Sequence, residues 1–387
     1  MSSVYIHVPF CKSRCIYCDF YSTTDARKRS RYVECLKHEL EMRRSYLPFD
    51  EEVSSIYFGG GTPSQLSPAM LSSVLETVHR LFRVSSEAEI TVEMNPDDVT
   101  GDYVYELCAM NVNRVSMGVQ TFNDSRLAFL HRRHSSLQAC NAVKLCQDAG
   151  LSNISIDLIY GFPDETIADW NSDISEAVNL GVPHISAYSL MYEEGTALTR
   201  MLDEGKLSQL DDEISLEMFR VLMSHLHDAG FIHYEISNFS LPGFHSRHNS
   251  GYWTGVKYLG VGASAHSYDG FSRQWNPASL DRYMLAVEAG KLEYEREELS
   301  LSMKYDERVM TSLRTCDGID LDALSRDFGN ERLEYCLKSA EKHLADGSLE
   351  LLQDYNPVLR KDVSSKVLRL TTRGIFVSDG IMSDLML

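Results

Sequence analysis

The residues best suited by type and spacing to do chemistry are three cysteines near the start of the chain. Cys11, Cys15 and Cys18 form a C-x3-C-x2-C pattern directly after the run Val4-Tyr5-Ile6-His7-Val8-Pro9-Phe10. Thiolates are the ligands of iron–sulfur clusters, so three sulfurs on one tight loop can bind three irons of a cubane. The fourth iron then has no protein ligand nearby and can chelate a small molecule. A structural zinc loop and three buried thiols are the competing readings. Structural zinc closes with four ligands, often from two Cys-x-x-Cys halves far apart in sequence. Only His7, inside a strand-like run, could supply a fourth here, so the spacing favours the cluster.

A second set of polar residues falls where apolar runs end. Gly59-Gly60-Gly61-Thr62-Pro63 follows a short apolar stretch. Its bare backbone lets N–H and C=O groups approach amino and carboxylate groups, with Thr62 adding a hydroxyl. A tight turn would use glycine as well. Glu93, Gln120, Arg132 and Asp157 come from four consecutive repeats of strand and helix. Glu93 and Asp157 can accept from hydroxyls or an ammonium group, and Gln120 can donate and accept. Arg132 can pair with a carboxylate through two parallel bonds. Each alone reads as a solvated strand end, but their shared position points to one mouth. Tyr5 and Tyr17 flank the cysteines, where packing would also explain them. Further on, Arg247-His248-Asn249-Ser250-Gly251-Tyr252-Trp253 offers an imidazole and two flat aromatic faces. From the residues alone it reads first as a core histidine beside packed rings, with an iron ligand beside a macrocycle as the competing reading. His266, after Gly260-Val261-Gly262, is a weaker candidate for the same role.

The elements that position these residues alternate. Strands are predicted at 3–8, 54–58, 88–92, 114–119, 154–159 and 184–190, with helices at 30–46, 67–82, 103–110, 137–149 and 165–180. Spacing of roughly 30 residues per unit marks parallel βα repeats with right-handed crossovers. Six units make an α/β fold, a partial (β/α)6 barrel spanning 1–230. A helix at 211–227 and a strand at 232–236 follow. An extension and acidic linker at 231–298 carries the His248 motif. Helices at 305–314, 321–328 and 332–344, then strands at 348–352 and 367–370, form a small winged-helix-like α+β domain at 299–387.

Composition bounds the rest. The 387 residues are 43% hydrophobic and 24% charged, and the net charge is −19. That charge argues against nucleic acid or anionic membrane as a general partner, because phosphate binding needs a basic surface. No signal-peptide pattern or long apolar run is present, so a cytoplasmic location is expected. An odd count of nine cysteines fits a reducing compartment better than a disulfide framework.

The cysteine loop, followed by a strand and a glycine loop, resembles the radical S-adenosylmethionine (SAM) superfamily. Tyr5-Ile6-His7-Val8-Pro9-Phe10-Cys11, Gly118-Val119-Gln120 and Ile156-Asp157-Leu158-Ile159-Tyr160-Gly161 narrow the likeness to the oxygen-independent coproporphyrinogen III oxidase family. The resemblance implies a [4Fe-4S] cluster on the three cysteines. It implies SAM contacts at Tyr5, Gly60, Glu93, Gln120, Arg132 and Asp157, and Tyr17 beside the cluster is a further candidate for cofactor binding. Gly61, Thr62, Gln120, Arg132 and Asp157 match positions serving a second SAM in the true oxidases. Two departures separate this chain from those oxidases. Phe20 stands where they have a further cysteine, and the extension ahead of their cluster strand is missing. Both departures, with His248-Asn249-Ser250-Gly251-Tyr252-Trp253, are features of the HemW-type heme chaperones. That branch implies heme as a third cofactor, contacted by His248, and transfer of heme to an acceptor protein. It also implies an electron donor for the cluster, and membrane contact only through a membrane-bound acceptor. Radical decarboxylation of coproporphyrinogen III is the alternative activity.

Overall fold

The computed structural model of the chain describes residues 1–359 and 364–387. Six strands, β1 (Ser2–Val8), β2 (Val53–Gly60), β3 (Val84–Met94), β4 (Arg114–Gln120), β5 (Ile154–Tyr160) and β6 (His184–Ser189), lie side by side in chain order. All their pairings are parallel. The helices Arg29–Met42, Pro68–Leu81, Gly101–Ala109, Ser136–Asp148 and Ile167–Asn179 make the connections between them. This is the expected succession of six βα units.

Alternation along β1 shows how the sheet is built. Val4, Ile6 and Val8 are fully buried in one apolar core with Tyr32, Leu36 and Leu40 of the first helix. Ser3, Tyr5 and His7 point to the opposite, inner face, as period-two geometry requires. The inner face is polar on neighbouring strands too, carrying Ser55 and Tyr57, Thr91 and Glu93, Arg114 and Ser116, and Ser155 and Asp157. Helix caps follow the sequence signals. Ser67 accepts from the amide of Met70 with Pro68 next to it, and Gly150 takes the left-handed conformation at φ +89°.

The sheet is wider than six strands. Beyond β6 comes an antiparallel hairpin of β7 (Ile232–Glu235) and β8 (Asn238–Ser240). At the other edge β9 (Lys257–Val261) runs parallel to β1, followed by β10 (His266–Tyr268), β11 (Ser272–Trp275) and β12 (Glu295–Glu298), all antiparallel. The twelve strands have the order β12-β11-β10-β9-β1-β2-β3-β4-β5-β6-β8-β7. Among the described residues β12 and β7 do not pair, so the sheet stays open. Residues 231–298, read as an extension, thus supply both of its edges. β3 starts four residues earlier than its apolar run suggests, because a register shift opposite Val53 and Ser55 lets Val84 rejoin the ladder.

The C-terminal region has its own core. Helices Leu301–Leu313, Leu321–Phe328 and Asn330–Ala345 pack on an antiparallel sheet of β13 (Ile319–Asp320), β14 (Leu349–Tyr355) and β15 (Ser364–Leu370), with β15 central. Tyr305, Val309, Leu324, Cys336, Leu349, Leu368 and Ile381 are buried together there. Two unforeseen helices, Thr372–Ile375 and Ser378–Leu385, follow. The second closes the core with Ile381, Met382 and Leu385. Within the span 299–387, residues 360–363 lie outside the described ones. Backbone bonds from Ile236 N to Arg314 O and from Cys316 N to Tyr234 O, both 3.1 Å, join this region to the hairpin of β7 and β8.

Candidate functional site

Pro9 ends β1, and the chain then makes a loop closed at its base by Thr23 N to Pro9 O at 2.7 Å and Cys11 N to Thr23 O at 2.9 Å. Ile16 anchors the loop's far side. Its amide donates to Leu130 O at 3.3 Å and its carbonyl accepts from Leu198 N at 2.9 Å, inside an apolar cluster with Phe162 and Leu190. Leu198 belongs to the short helix Ala197–Asp203, which the sequence pattern did not mark. The three cysteines on this loop are partly exposed. Among the described residues, no group of three or more ligating side chains converges on one ion position. A cubane binds each thiolate to a different iron, so three thiolates on one loop need not converge on a single ion position. The donor set therefore fits the cluster. Burial pushes up the Cys11 thiol and raises that of Cys18 to about 11, so iron binding here releases protons.

The glycine loop at the end of β2 abuts this loop. The Gly61 amide donates to Val8 O at 2.9 Å, and a β-carbon at Gly61 would lie 3.1 Å from Cys11 Sγ. Gly60 has φ +109°, and a β-carbon there would sit 2.5 Å from the His7 ring. The Thr62 hydroxyl donates to Cys11 Sγ at 3.5 Å and accepts from Asn95 Nδ2 at 3.3 Å. Asn95 in turn accepts from Arg132 Nη2 at 2.8 Å, and Arg132 Nη1 reaches Cys15 Sγ at 3.6 Å. Arg132 also donates to Gly118 O at 2.5 Å. Side chains on Gly118 would block this approach, since a β-carbon there falls 2.9 Å from Arg132 Nη2. On the opposite side Tyr17 donates to Gln120 Oε1 at 3.2 Å. Gln120 adopts φ +72°, an uncommon state for a residue other than glycine.

Two carboxylates line the inner wall. Glu93 accepts from Tyr57 Oη at 2.8 Å and from the Gly60 amide at 3.1 Å. Desolvation nonetheless pushes its carboxyl up to about 7, with Asp157 adding to the rise. Asp157 pairs with Gly118 in the ladder, and burial raises it to about 6. Tyr5 donates its hydroxyl toward His7 Nδ1 at 3.2 Å and stacks near Tyr57. Tyr5, Tyr17, Gly60, Gly61, Thr62, Glu93, Gln120, Arg132, Asp157 and the three cysteines therefore come together at the carboxyl ends of β1 to β5.

His248 lies elsewhere, one layer below the mouth on the helix Arg247–Trp253. It is 2% exposed, and its ring stacks on Tyr57 at 4.9 Å between centroids. Nδ1 bonds with Ser55 Oγ at 2.9 Å and Nε2 with Tyr252 Oη at 3.0 Å. Both nitrogens are engaged, the arrangement of a packed core histidine. Its Nε2 faces a metal only after the Tyr252 hydroxyl leaves it.

The chain's relatives agree with this layout. The radical SAM superfamily model matches residues 5–177. The "Heme chaperone HemW" of Mycobacterium tuberculosis is 34% identical over 388 aligned residues, covering 99% of this chain and 94% of that protein. The chain belongs to the HemW family. The protein of the same description from Bacillus subtilis is 32% identical over 90% of this chain and 92% of its own. In fold, the chain superposes on the coproporphyrinogen III oxidase HemN of Escherichia coli with a TM-score of 0.84, 22% identity and coverage of 99% and 89% of the two chains. The HemW family lies within the radical SAM superfamily, and its cofactors include a [4Fe-4S] cluster and SAM, which supply one-electron chemistry when bound.

Within this member of the HemW family, three contributors to the site escaped the sequence reading. Asn95 links Thr62 to Arg132, and its place two residues after Glu93 at a strand end was the available signal. Tyr57 holds Glu93. Arg114 is 1% exposed on the inner face, with Nε and Nη1 lacking partners. The alternation Arg114, Ser116, Gly118, Gln120 along β4 could have placed it there.

The glycine loop yields a direct prediction. Gly60→Ala should cost about 1–3 kcal/mol of stability, combining left-handed strain with the contact on His7. Gly101→Ala, at a helix start with nothing within 4 Å of the added carbon, should be neutral or stabilising. Chemical denaturation of the two variants compares them, and equal midpoints would refute the assignment of strain.

Proposed function

We propose that the chain binds heme and passes it to an acceptor protein, with the cluster and SAM at the mouth governing release. The carrying observation is the near full-length similarity to proteins described as heme chaperones. Phe20, 64% exposed beside the cysteine loop, supports the reading, since the true oxidases have a cysteine at that position. Cys11, Cys15 and Cys18 would hold the cluster. Gly60 and Glu93 would hold the amino end of SAM, and Arg132 its carboxylate, with Thr62 and Asn95 fixing the guanidinium. Asp157, Gln120, Tyr5 and Tyr17 would surround its ribose and adenine, and Gly61 and Thr62 would border any second SAM. The partners are heme, a heme-accepting protein and an electron donor, in the cytoplasm, without nucleic acid. No helix is long and apolar enough to cross a membrane among the described residues, so membrane contact would come through the acceptor.

Anaerobic titration of hemin into the cluster-reconstituted protein tests this reading. Soret absorbance should saturate at about one heme per chain, since a defined site has a fixed capacity. A parallel incubation with coproporphyrinogen III, SAM and a reductant should leave the propionates intact. Decarboxylated product without saturable heme binding would replace the chaperone with the oxidase.

A further inference from the structure

At the end of the sheet remote from the mouth, the inner face carries a cation whose hydrogen bonds the fold does not complete. Arg114 begins β4 and is 1% exposed, and its Nε and Nη1 have no partner. Its neighbour across the ladder is Thr91 of β3, fully buried, whose Oγ1 also lacks a partner. Paired residues on neighbouring strands lie about 5 Å apart, so the two side chains rise side by side from this floor.

The surroundings supply no counter-charge. His184 and His248 lie near enough for the charge of Arg114 to act on both imidazoles. Each is engaged at both nitrogens. His184 bonds Ser155 Oγ through Nδ1 and Tyr234 Oη through Nε2, both at 2.7 Å. His248 bonds Ser55 and Tyr252 in the same manner. Burial, and then the charge of Arg114, lowers both imidazoles below their ordinary range, so both stay neutral. Glu89 on β3 accepts from the amides of Arg247 and His248, each at 3.0 Å. Glu93 is held by Tyr57 and the Gly60 amide. Among the described residues no carboxylate bonds to Nε or Nη1 of Arg114. A buried charge left without a counter-charge is strongly destabilising, and a buried donor without an acceptor costs its desolvation. Water can accept the bonds but cannot balance the charge.

We propose that Arg114 and Thr91 hold a compact monovalent anion, a halide or the carboxylate of a small acid, on the floor of the inner face. One guanidinium balances one negative charge, which selects a monovalent anion. Its planar fork can meet two carboxylate oxygens or a single halide, and the Thr91 hydroxyl adds a donor. The site is separate from the SAM and heme readings and depends on neither. It has a consequence for the mouth, because the charge of Arg114 lowers Glu93 and Asp157 and a bound anion would offset that effect.

The test is urea unfolding of the full-length, cluster-reconstituted protein in sodium chloride, sodium formate or sodium gluconate at one ionic strength. Gluconate is too bulky for a closed site and serves as the reference anion. An anion that binds the folded state raises the midpoint until the site is full. The wild-type midpoint should climb and level off as chloride or formate replaces gluconate, and the lower half-saturating concentration identifies the preferred anion. Arg114→Met keeps the length and apolar bulk of the stem and should unfold at one midpoint in all three salts. Thr91→Val keeps the shape and should raise the half-saturating concentration about tenfold, the worth of one hydrogen bond to a charged group. Equal wild-type midpoints in the three salts would overturn the proposal and leave Arg114 to water alone. A rise of wild-type size in Arg114→Met would overturn it by placing the anion elsewhere. Should Arg114→Met not fold, Thr91→Val decides, and an unchanged half-saturating concentration there overturns the site.

Discussion

Glu39→Ala is expected to lower the unfolding free energy by about 3–5 kcal/mol, the cost of stripping one partner from a buried ion pair. Glu39 is fully buried and accepts four hydrogen bonds. They come from Arg43 Nη1 at 3.2 Å, the Gly262 amide at 2.8 Å, Asn276 Nδ2 at 2.7 Å and Tyr283 Oη at 2.7 Å. Arg43, 5% exposed, also donates to Gly260 O and Gln274 Oε1, both at 3.0 Å. One helix of the first βα unit is thereby joined to β9 and β11, which local sequence order leaves more than 200 residues away. Removing the carboxylate leaves a buried guanidinium and three buried donors without their acceptor. Glu39→Leu with Arg43→Met together should cost clearly less than the sum of the single changes, because neither charge is then stranded. Urea unfolding of the three variants measures this. A Glu39→Ala midpoint within experimental error of wild type would refute the role of the carboxylate as the tie between these elements.

That tie also shows which parts of the molecule could be read from the chain. The six parallel strands were legible because each contains an apolar or β-branched run that stops at proline, glycine or a polar residue. The cysteine loop and glycine loop were legible because their spacing is local. Of the flanking strands only β7 was legible, as the run at 232–236, and β8 to β12 were not. They are three to five residues long, mix polar with apolar positions, and owe their existence to the edges of an already formed sheet. The helix Ser378–Leu385 has only one apolar stripe, which becomes meaningful once the core around Tyr305 is there to receive it. Glu39 looks like any glutamate on a helix until Gly262 and Asn276 arrive. The sequence ranked His248 above His266, but the burial of His248 and the engagement of both its nitrogens by Ser55 and Tyr252 are not written in the motif.

S-adenosylmethionine affinity should fall about tenfold for each pH unit below about 7, and level off above it, because binding there is linked to loss of one proton. In the proposed site, where Glu93 would face the ammonium of SAM, Glu93 is the linked group. Its carboxyl rises from 4.5 to about 7 as desolvation outweighs the bonds from Tyr57 and the Gly60 amide. A neutral acid cannot pair with the ammonium of the methionine moiety, so the proton must leave before or as the ligand binds. Asp157, raised to about 6, steepens the dependence only below that point. The sign for the ligand-free fold is opposite. A proton held in the folded state but lost from the unfolded one stabilises the fold at acidic pH. This contribution declines as pH rises from 4.5 toward 7. Arg114 sets the position of the transition. Its charge lowers both Glu93 and Asp157 from within the sheet's inner face, so Arg114→Met should move the midpoint of the affinity curve to higher pH. Calorimetric titration between about pH 5.5 and 8.5, in buffers of different ionisation enthalpy, counts the released proton directly. Glu93→Gln should bind more weakly and show a flat profile above about pH 6. If that variant kept the wild-type slope, the linked proton would belong to another group and Glu93 would not be the partner of the ammonium.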